Sequence, residues 1–437
     1  MDIKTIQFLI KYSFAKPSAF VSYKQSIRNQ FLSTEELAQL SWTRTKKLLN
    51  HAYETVPFYN KKFSSIGLHP RDISSEKFYK QVPILTKADI LNNYDSLISR
   101  TYSKNDLKDI TTGGSTGVPL RVGRHKRVVR EAQKWRIQSW WDIDPTDNIA
   151  TAYRPLPYSN FHKAAMKLIY WPQNLISLDA TNICEKSIKE FIDGLKSHQP
   201  KMVHGYVGAI DSVADYIIEN GIKVPSPKTV WLTASPITTV QEKKISKAFN
   251  SPVCDQYGCS EVYFIAAECP NKEGLHVLSD LKKVEFINKD DYGIGDLLVT
   301  DLEDYAFPLI RYQNGDRGKY SDKTQCSCGM SLPLMEKVKG RITDNLLIGG
   351  TVISGEYLTT IFDDYVDQVK RFQVVQKSEY QILIRVVPKG THNLDTLLKK
   401  IEYSLIQKTG GKASLSYEIV KEIPDIKGKM KFVIKDF

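Results

Sequence analysis

Between residues 110 and about 345 the chain alternates amphipathic helical stretches with short apolar runs, and this order limits the fold more than any single motif does. "CEKSIKEFIDGLKSH" and "GAIDSVADYIIENG" carry apolar residues at helical spacing, and Gly221 stops the second. "KTVWLTAS" and "GDLLVTDL" read as strands that end in polar turns. The alternation predicts an α/β fold with ligand loops at strand ends.

The flanks differ in style. Residues 1 to about 110 read as mostly helical: in "STEELAQLSWTRTKKLLNHAYETV" Ser33 is a cap, Glu36 follows three residues later, and apolar residues recur at helical spacing. "VPIL" then connects into a capped helix at "TKADILNNY". After "GRITDNLLIGG" comes a compact tail: a helix around "SGEYLTTIFDDYV", strands "VKRFQVVQ" and "YQILIRVV", a helix "NLDTLLKKIEYSLIQKTG" ended by Gly410, and a strand "ASLSYEIV". The pattern predicts a large N-terminal domain over 1–343 and a small α+β C-terminal domain over 344–437.

The 437 residues are 41% hydrophobic and 25% charged, which suits a globular chain with a large core and excludes disorder. No run approaches the roughly 18 apolar residues of a spanning helix. The N-terminal "MDIKTIQFLIKYSFAK" has a short apolar core broken by Lys11 and no small-residue cleavage site, so a cytoplasmic protein is expected, with an N-terminus able to touch a membrane as a peripheral protein. The net charge of +12 is dispersed, without the basic block of a nucleic-acid arm. It is compatible with ATP, coenzyme A, an acidic carrier protein or an anionic membrane surface. The six cysteines are too few and too uneven for a disulfide framework.

Three short segments carry candidate chemistry. In "DITTGGSTGVPLRV" the hydroxyls of Thr111, Thr112, Ser115 and Thr116 and the backbone at Gly113, Gly114 and Gly117 can cradle an anion, although no Walker Gly-Lys-Ser/Thr follows. An ordinary solvated turn has the same composition. In "DQYGCSEV", Tyr257 can stack on a base, and Glu261 can share a magnesium ion with phosphate oxygens. "PLIRYQNGD" sets Arg311, Tyr312 and Asp316 around a turn, where the carboxylate can accept both hydroxyls of a ribose.

In combination these segments resemble the adenylate-forming superfamily of acyl-coenzyme A synthetases and related ligases. The ordered motifs are "TTGGSTGVP", "YGCSE", "RYQNGD", the hinge "GRITD" and the C-terminal "GKMKF". The lead "LLNHAYETVPFYNKKFSSIG" with "VPILTKADI" is similar to the phenylacetate–coenzyme A ligase branch, and in particular to its capsule and O-antigen biosynthesis relatives. Val118 stands where many relatives carry lysine, and "TASPI" lacks the acidic residue common in the branch.

The resemblance implies the family fold, a large N-terminal domain of sheets packed with helices and a small mobile α+β C-terminal domain. It implies two steps: a carboxylate attacks the α-phosphate of ATP and releases pyrophosphate, then the acyl adenylate passes to coenzyme A or to an amine of a sugar or amino acid. Thr112, Gly113, Gly114, Ser115, Thr116 and Gly117 would hold the departing phosphates, and Glu261 would bind Mg2+. Tyr257, with Gln256, Gly258 and Ser260 around it, and the turn Ala234, Ser235, Pro236 would meet the adenine. Asp316 and Arg341 would hold the ribose. Asp344 would be the hinge, and Lys429 would neutralise charge at the α-phosphate. Lys429, Glu261 and Thr116 are thus the catalytic candidates.

Cys269, His276, Cys326 and Cys328 are a candidate closed set of four Zn2+ ligands, tying together loops between 269 and 328. Trp135, Trp140, Trp141, His204 and Tyr206 are candidate walls of an acyl pocket, with core packing as the alternative for each. Two other functions remain open: an aryl-coenzyme A ligase of aromatic acid metabolism, and a non-catalytic zinc-stabilised module binding anions or nucleic acid. The dispersed basic residues and the absence of an aromatic-plus-basic signature argue against nucleic acid.

Overall fold

The computed structural model describes residues 3–15, 17–112, 120–128, 130–155, 159–180, 182–338, 346–353, 358, 362, 368–389, 394–424 and 431–437. Contacts divide the chain into two compact units, 1–148 with 158–174 and 254–338, and 149–157 with 175–253 and 339–437. The expected boundary at 343/344 falls among residues outside those described, as does most of the helix expected around "SGEYLTTIFDDYV".

The first unit begins with helices Ile3–Ala15, Pro17–Asn29 and Thr34–Thr55. The third has the expected capping box: Ser33 Oγ accepts from the Glu36 amide at 3.1 Å, and Glu36 accepts from the Ser33 amide at 2.8 Å. Thr86 and Asp89 cap Lys87–Asn93 in the same way. Strands Leu107–Thr112 and Leu120–His125 then pair antiparallel, with Thr112 opposite Leu120, so the glycine-rich segment joins the two strands of a hairpin.

The "GDLLVTDL" strand, Gly295–Asp301, lies at the centre of a three-stranded antiparallel sheet between Lys282–Ile287 and Tyr312–Gly318. No helix separates these strands among the described residues, and strands joined without a crossover pair antiparallel. A second antiparallel set joins Val253–Cys259, Tyr263–Glu268, Leu275–Val277 and Leu334–Met335. Leu48, Phe63, Ile265, Leu297 and Tyr312 belong to one buried core beneath both sets.

A polar network lies beside that core. Arg136 and Asp280 pair at 2.7 Å with both side chains fully buried, Asn29 donates to the second Asp280 oxygen at 2.9 Å, and Gln30 accepts from Arg136 and from Trp140. Removing one member of such a pair strands a buried charge. Asp280→Ala is therefore expected to lower unfolding free energy by about 3–5 kcal/mol, read by urea denaturation. A loss below about 1 kcal/mol would mean that Arg136 is readily rehydrated.

In the second unit, strands Leu175–Asp179, Ile149–Tyr153, Met202–Tyr206 and Thr229–Thr233 lie side by side in that order and all run parallel. Parallel neighbours need long crossovers. Helices Glu185–His198 and Val207–Glu219 supply them, and Gly221 at φ +60° ends the second as its sequence requires. At Gly205 a Cβ would fall 2.7 Å from the Ala152 carbonyl oxygen, so the close pairing of these strands depends on glycine.

The tail has its own core and a four-stranded sheet ordered Ser414–Ile419, Gln381–Pro388, Val369–Gln376, Val433–Lys435. Helix Asp395–Lys408 buries Leu397, Leu398, Ile401 and Leu405 at helical spacing against it. The strands and the helix agree with the sequence reading to within a few residues.

Candidate nucleotide site and metal centre

Two strands of the first unit bring "YGCSE" and "RYQNGD" together. On Tyr312–Gly318 the pleat turns Tyr312, Asn314 and Asp316 to one face, and all three are buried. The Tyr257 hydroxyl donates to Asp316 Oδ2 at 2.8 Å and accepts from Asn314 Nδ2 at 2.6 Å, and Asn314 Oδ1 accepts from the Asp316 amide at 3.0 Å. Burial first, and then the Asp316 charge, push the Tyr257 phenol well above its ordinary range, so it stays a donor at neutral pH.

Gly258 permits this approach. The register shifts between Tyr257 and Gly258, and a Cβ at 258 would fall 2.1 Å from the Tyr263 carbonyl oxygen. Just beyond, Glu261 is buried and accepts from the Tyr312 hydroxyl at 3.1 Å. Burial and the Glu261 charge raise the Cys259 thiol well above its usual range, which makes it an inert group. Gln256 is buried on the same strand, and Ser260 is exposed.

Arg311, one residue before the Asp316 strand, turns elsewhere. At φ +48° it pairs with both Glu285 oxygens at 3.0 Å and donates to the Lys80 and Val82 carbonyls. It fastens the strand, and Asn314 takes the place beside Asp316. The turn signal in "RYQNGD" hides Asn314; as a strand, period two puts 314 on the face of 312 and 316.

In the second unit Ala234, Ser235 and Pro236 follow the parallel strand Thr229–Thr233, and Ala234 takes φ +76°, a backbone state that non-glycine residues enter at a cost. His204 and Tyr206 lie on the neighbouring parallel strand. His204 hydrogen-bonds the Tyr153 hydroxyl and stacks 4.7 Å from Trp231, and Tyr206 meets Tyr153 edge-on at 4.9 Å. Thr112 ends its strand opposite Leu120. Gly113, Gly114, Ser115, Thr116 and Gly117, together with Arg341, Asp344 and Lys429, lie outside the described residues.

The three tryptophans have packing partners. Trp135 is buried among Phe8, Tyr12 and Tyr23, Trp140 donates to Gln30 and faces the His276 ring, and Trp141 donates to the Glu268 carbonyl at 3.1 Å.

The four proposed metal ligands converge. Cys269 follows the strand Tyr263–Glu268, His276 is central in Leu275–Val277, and Cys326 and Cys328 lie on a turn that ends at Gly329 with φ +82°. Their ligand atoms all lie within 4.8 Å of one another. Cys269 and Cys326 sulfurs are 3.6 Å apart, and Cys328 Sγ is 3.4 Å from His276 Nε2. A sulfur pair at that distance is no disulfide. His276 Nδ1 donates to the Leu332 carbonyl at 3.3 Å, which turns Nε2 towards the thiols. Burial lowers the imidazole to about 4.

The fold is that of the adenylate-forming ligases. A 2-hydroxyisobutyryl-CoA ligase captured in its postadenylation state superimposes with a TM-score of 0.78, covering 94% of this chain and 91% of that one at 18% identity. Within that class the chain is homologous to CapK and to phenylacetate–coenzyme A ligases. It is 25% identical to Protein CapK of Staphylococcus aureus over 92% of this chain and 90% of the relative. It is 26% identical to the phenylacetate–coenzyme A ligase of Escherichia coli K12 over 73% of this chain and 74% of the relative. Residues 348–436 match the CapK C-terminal domain. No described helix is long and apolar enough to cross a membrane.

Proposed function

We propose that the protein activates a carboxylic acid with ATP and passes the acyl group to a second nucleophile. The carrying observation is the hydrogen-bonded Tyr257–Asn314–Asp316 cluster, with Glu261 bonded to Tyr312 on the strand that carries Asn314 and Asp316. An aromatic ring, a carboxylate able to accept ribose hydroxyls and a second carboxylate able to share a cation, held on neighbouring segments, support a nucleotide site. A carboxylate oxygen would bond to the α-phosphorus, the bond from that phosphorus to the bridging oxygen would break, and pyrophosphate would leave with the electron pair. No protein nucleophile is required; positioning and charge neutralisation carry the step.

The chain's own residues divide the work. Asp316 would accept the ribose hydroxyls together with Arg341, and Tyr257 would hold the Asp316 carboxylate in place while its ring packs on adenine. Residues 112–117 would grip the leaving phosphates, and Lys429 would face the α-phosphate. Glu261 offers one hard oxygen, and one carboxylate plus phosphate oxygens is a donor set Mg2+ accepts; when bound, the ion neutralises phosphate charge. Cys269, His276, Cys326 and Cys328 would hold a structural Zn2+. With Zn–S bonds of about 2.3 Å and Zn–N near 2.0 Å, a tetrahedron sets its ligand atoms roughly 3.4–3.8 Å apart, which the observed 3.6 and 3.4 Å match.

For the acceptor, coenzyme A is supported by the phenylacetate ligase relatives, whose name states that thioester; an amine of a sugar or amino acid is the second reading, and a surface-polysaccharide role rests on the name of the CapK relative alone. Carboxylate-dependent ATP–pyrophosphate exchange across a panel of acids tests the first step. Thioester or amide formation after adding coenzyme A or amines separates the second. Exchange with none of a broad panel of aromatic, aliphatic and sugar acids would overturn the activity.

The role of Asp316 has its own test. Replacing a charged acceptor of two hydroxyls removes about 1.5–3 kcal/mol, so Asp316→Asn is expected to lower kcat/KM for ATP by roughly 10- to 150-fold. The wild type should discriminate against 2′-deoxy-ATP and the variant should discriminate less. Equal discrimination by both would take the ribose away from Asp316.

A further inference from the structure

The helix Ile3–Ala15 is amphipathic with its apolar residues on both sides. Phe8 and Tyr12 are buried against Trp135, whereas Ile3, Ile6, Ile10 and Phe14 are exposed, Phe14 by 84%. Their spacing makes one stripe along the helix. The helix Asn160–Tyr170 has a stripe of the same kind: Phe161, 86% exposed, then Leu168, then Trp171 just beyond its end.

The two stripes adjoin within the first unit. Lys11 Nζ donates to the Trp171 carbonyl at 2.7 Å and to that of Leu168 at 3.4 Å, and lies 4.5 Å from the Trp171 ring centre. The Tyr12 and Tyr170 rings meet beneath them at 5.9 Å. An exposed apolar patch of several large side chains marks an interaction surface.

Charge indicates what covers it. Residues 1–33 contain Lys4, Lys11, Lys16, Lys24 and Arg28 against a single acidic residue, Asp2, and residues 159–178 contain Lys163 and Lys167 and no acidic residue. Glu131 reaches this corner and accepts from the Tyr170 hydroxyl at 3.1 Å. We infer that these two helices form a docking face for an anionic lipid surface, the apolar stripes entering the headgroup boundary and the lysines meeting lipid charge. A second copy of the chain would bring the same cations against these; an anionic membrane supplies their complement. Trp171, with an apolar ring beside a lysine, is the side-chain type that anchors at such a boundary.

Cosedimentation of the full chain with vesicles tests the face. Binding is expected to vesicles of equal parts phosphatidylcholine and phosphatidylglycerol, weakening as salt rises and at least about tenfold weaker on phosphatidylcholine alone. The triple variant Phe14→Glu, Phe161→Glu, Leu168→Glu should lose at least about tenfold in binding at an unchanged melting temperature. Phe437→Glu, an exposed aromatic in the other unit, should bind like the wild type. Failure of the wild type to sediment with the mixed vesicles, or undiminished binding by the triple variant, overturns the inference. So does a wild-type dimer that the triple variant converts to monomer without any lipid binding, since the face would then serve self-association.

Discussion

Lys429→Ala is expected to lower carboxylate-dependent ATP–pyrophosphate exchange by at least about a hundredfold while leaving the melting temperature within a few degrees. The step brings an anionic carboxylate against an anionic α-phosphate, and a cation held there by the protein lowers the barrier without reorganising at the moment of reaction; removing one such group costs about 2.7–4 kcal/mol in comparable sites. The lysine's footing is close by. Lys431 offers its carbonyl to Gln373 Nε2 at 3.0 Å, Phe432 is buried in the core of the tail, and Val433–Lys435 pairs parallel with Val369–Gln376. Lys431→Ala, within the same stretch, should change exchange less than about threefold, because its charge is solvated. A Lys429→Ala protein with near-normal exchange would remove the lysine from the chemistry. One with lost exchange and an intact ability to use chemically supplied acyl adenylate would limit its role to the first step.

Local rules made much of the fold legible. The box at Ser33 and Glu36, the stop at Gly221 and the helix of the tail all follow from caps, glycines and apolar spacing within about twenty residues. Strand pairing was less legible, because it depends on what lies far along the chain: Tyr257 meets Asp316 across 59 residues, and only the folded sheet brings them together. The motif "RYQNGD" reads as a turn since Asn-Gly is a strong turn signal, yet from Tyr312 onward it is strand. Gly315, at φ +94°, is accommodated within it, and Arg311, just before the strand, is bound by Glu285. The four candidate metal ligands were legible from ligand chemistry, because three thiols and an imidazole make a closed set for Zn2+, while their convergence spans 52 to 57 residues and only the fold supplies it.

Replacing Cys326 and Cys328 together by serine is expected to remove one zinc per chain, measured by elemental analysis of protein purified without added metal, and to lower the melting temperature by on the order of 10 °C. The loss should exceed that of deleting two small side chains because the recorded ties of the turn that carries them are exposed hydrogen bonds, each worth little. Its side-chain ties among the described residues are exposed ones: Ser327 to Glu273 through amide and hydroxyl at 2.8 and 2.9 Å, and Asn271 to Ser327 at 2.7 Å. Cys184→Ser, an exposed thiol in the other unit, should change neither zinc content nor stability. If the wild type carries no zinc, or the double variant melts with the wild type, the cluster is only a set of packed thiols. Metal loss should also reach the nucleotide residues. His276 pairs with Ala267, and Ala267 pairs with Gln256 beside Tyr257, so the ligand strand lies two strands from the ring proposed to pack on adenine. Chelation should therefore raise the KM for ATP before it unfolds the chain, because loosening the strand that carries His276 shifts Tyr257 against Asp316, which it meets through a 2.8 Å hydrogen bond.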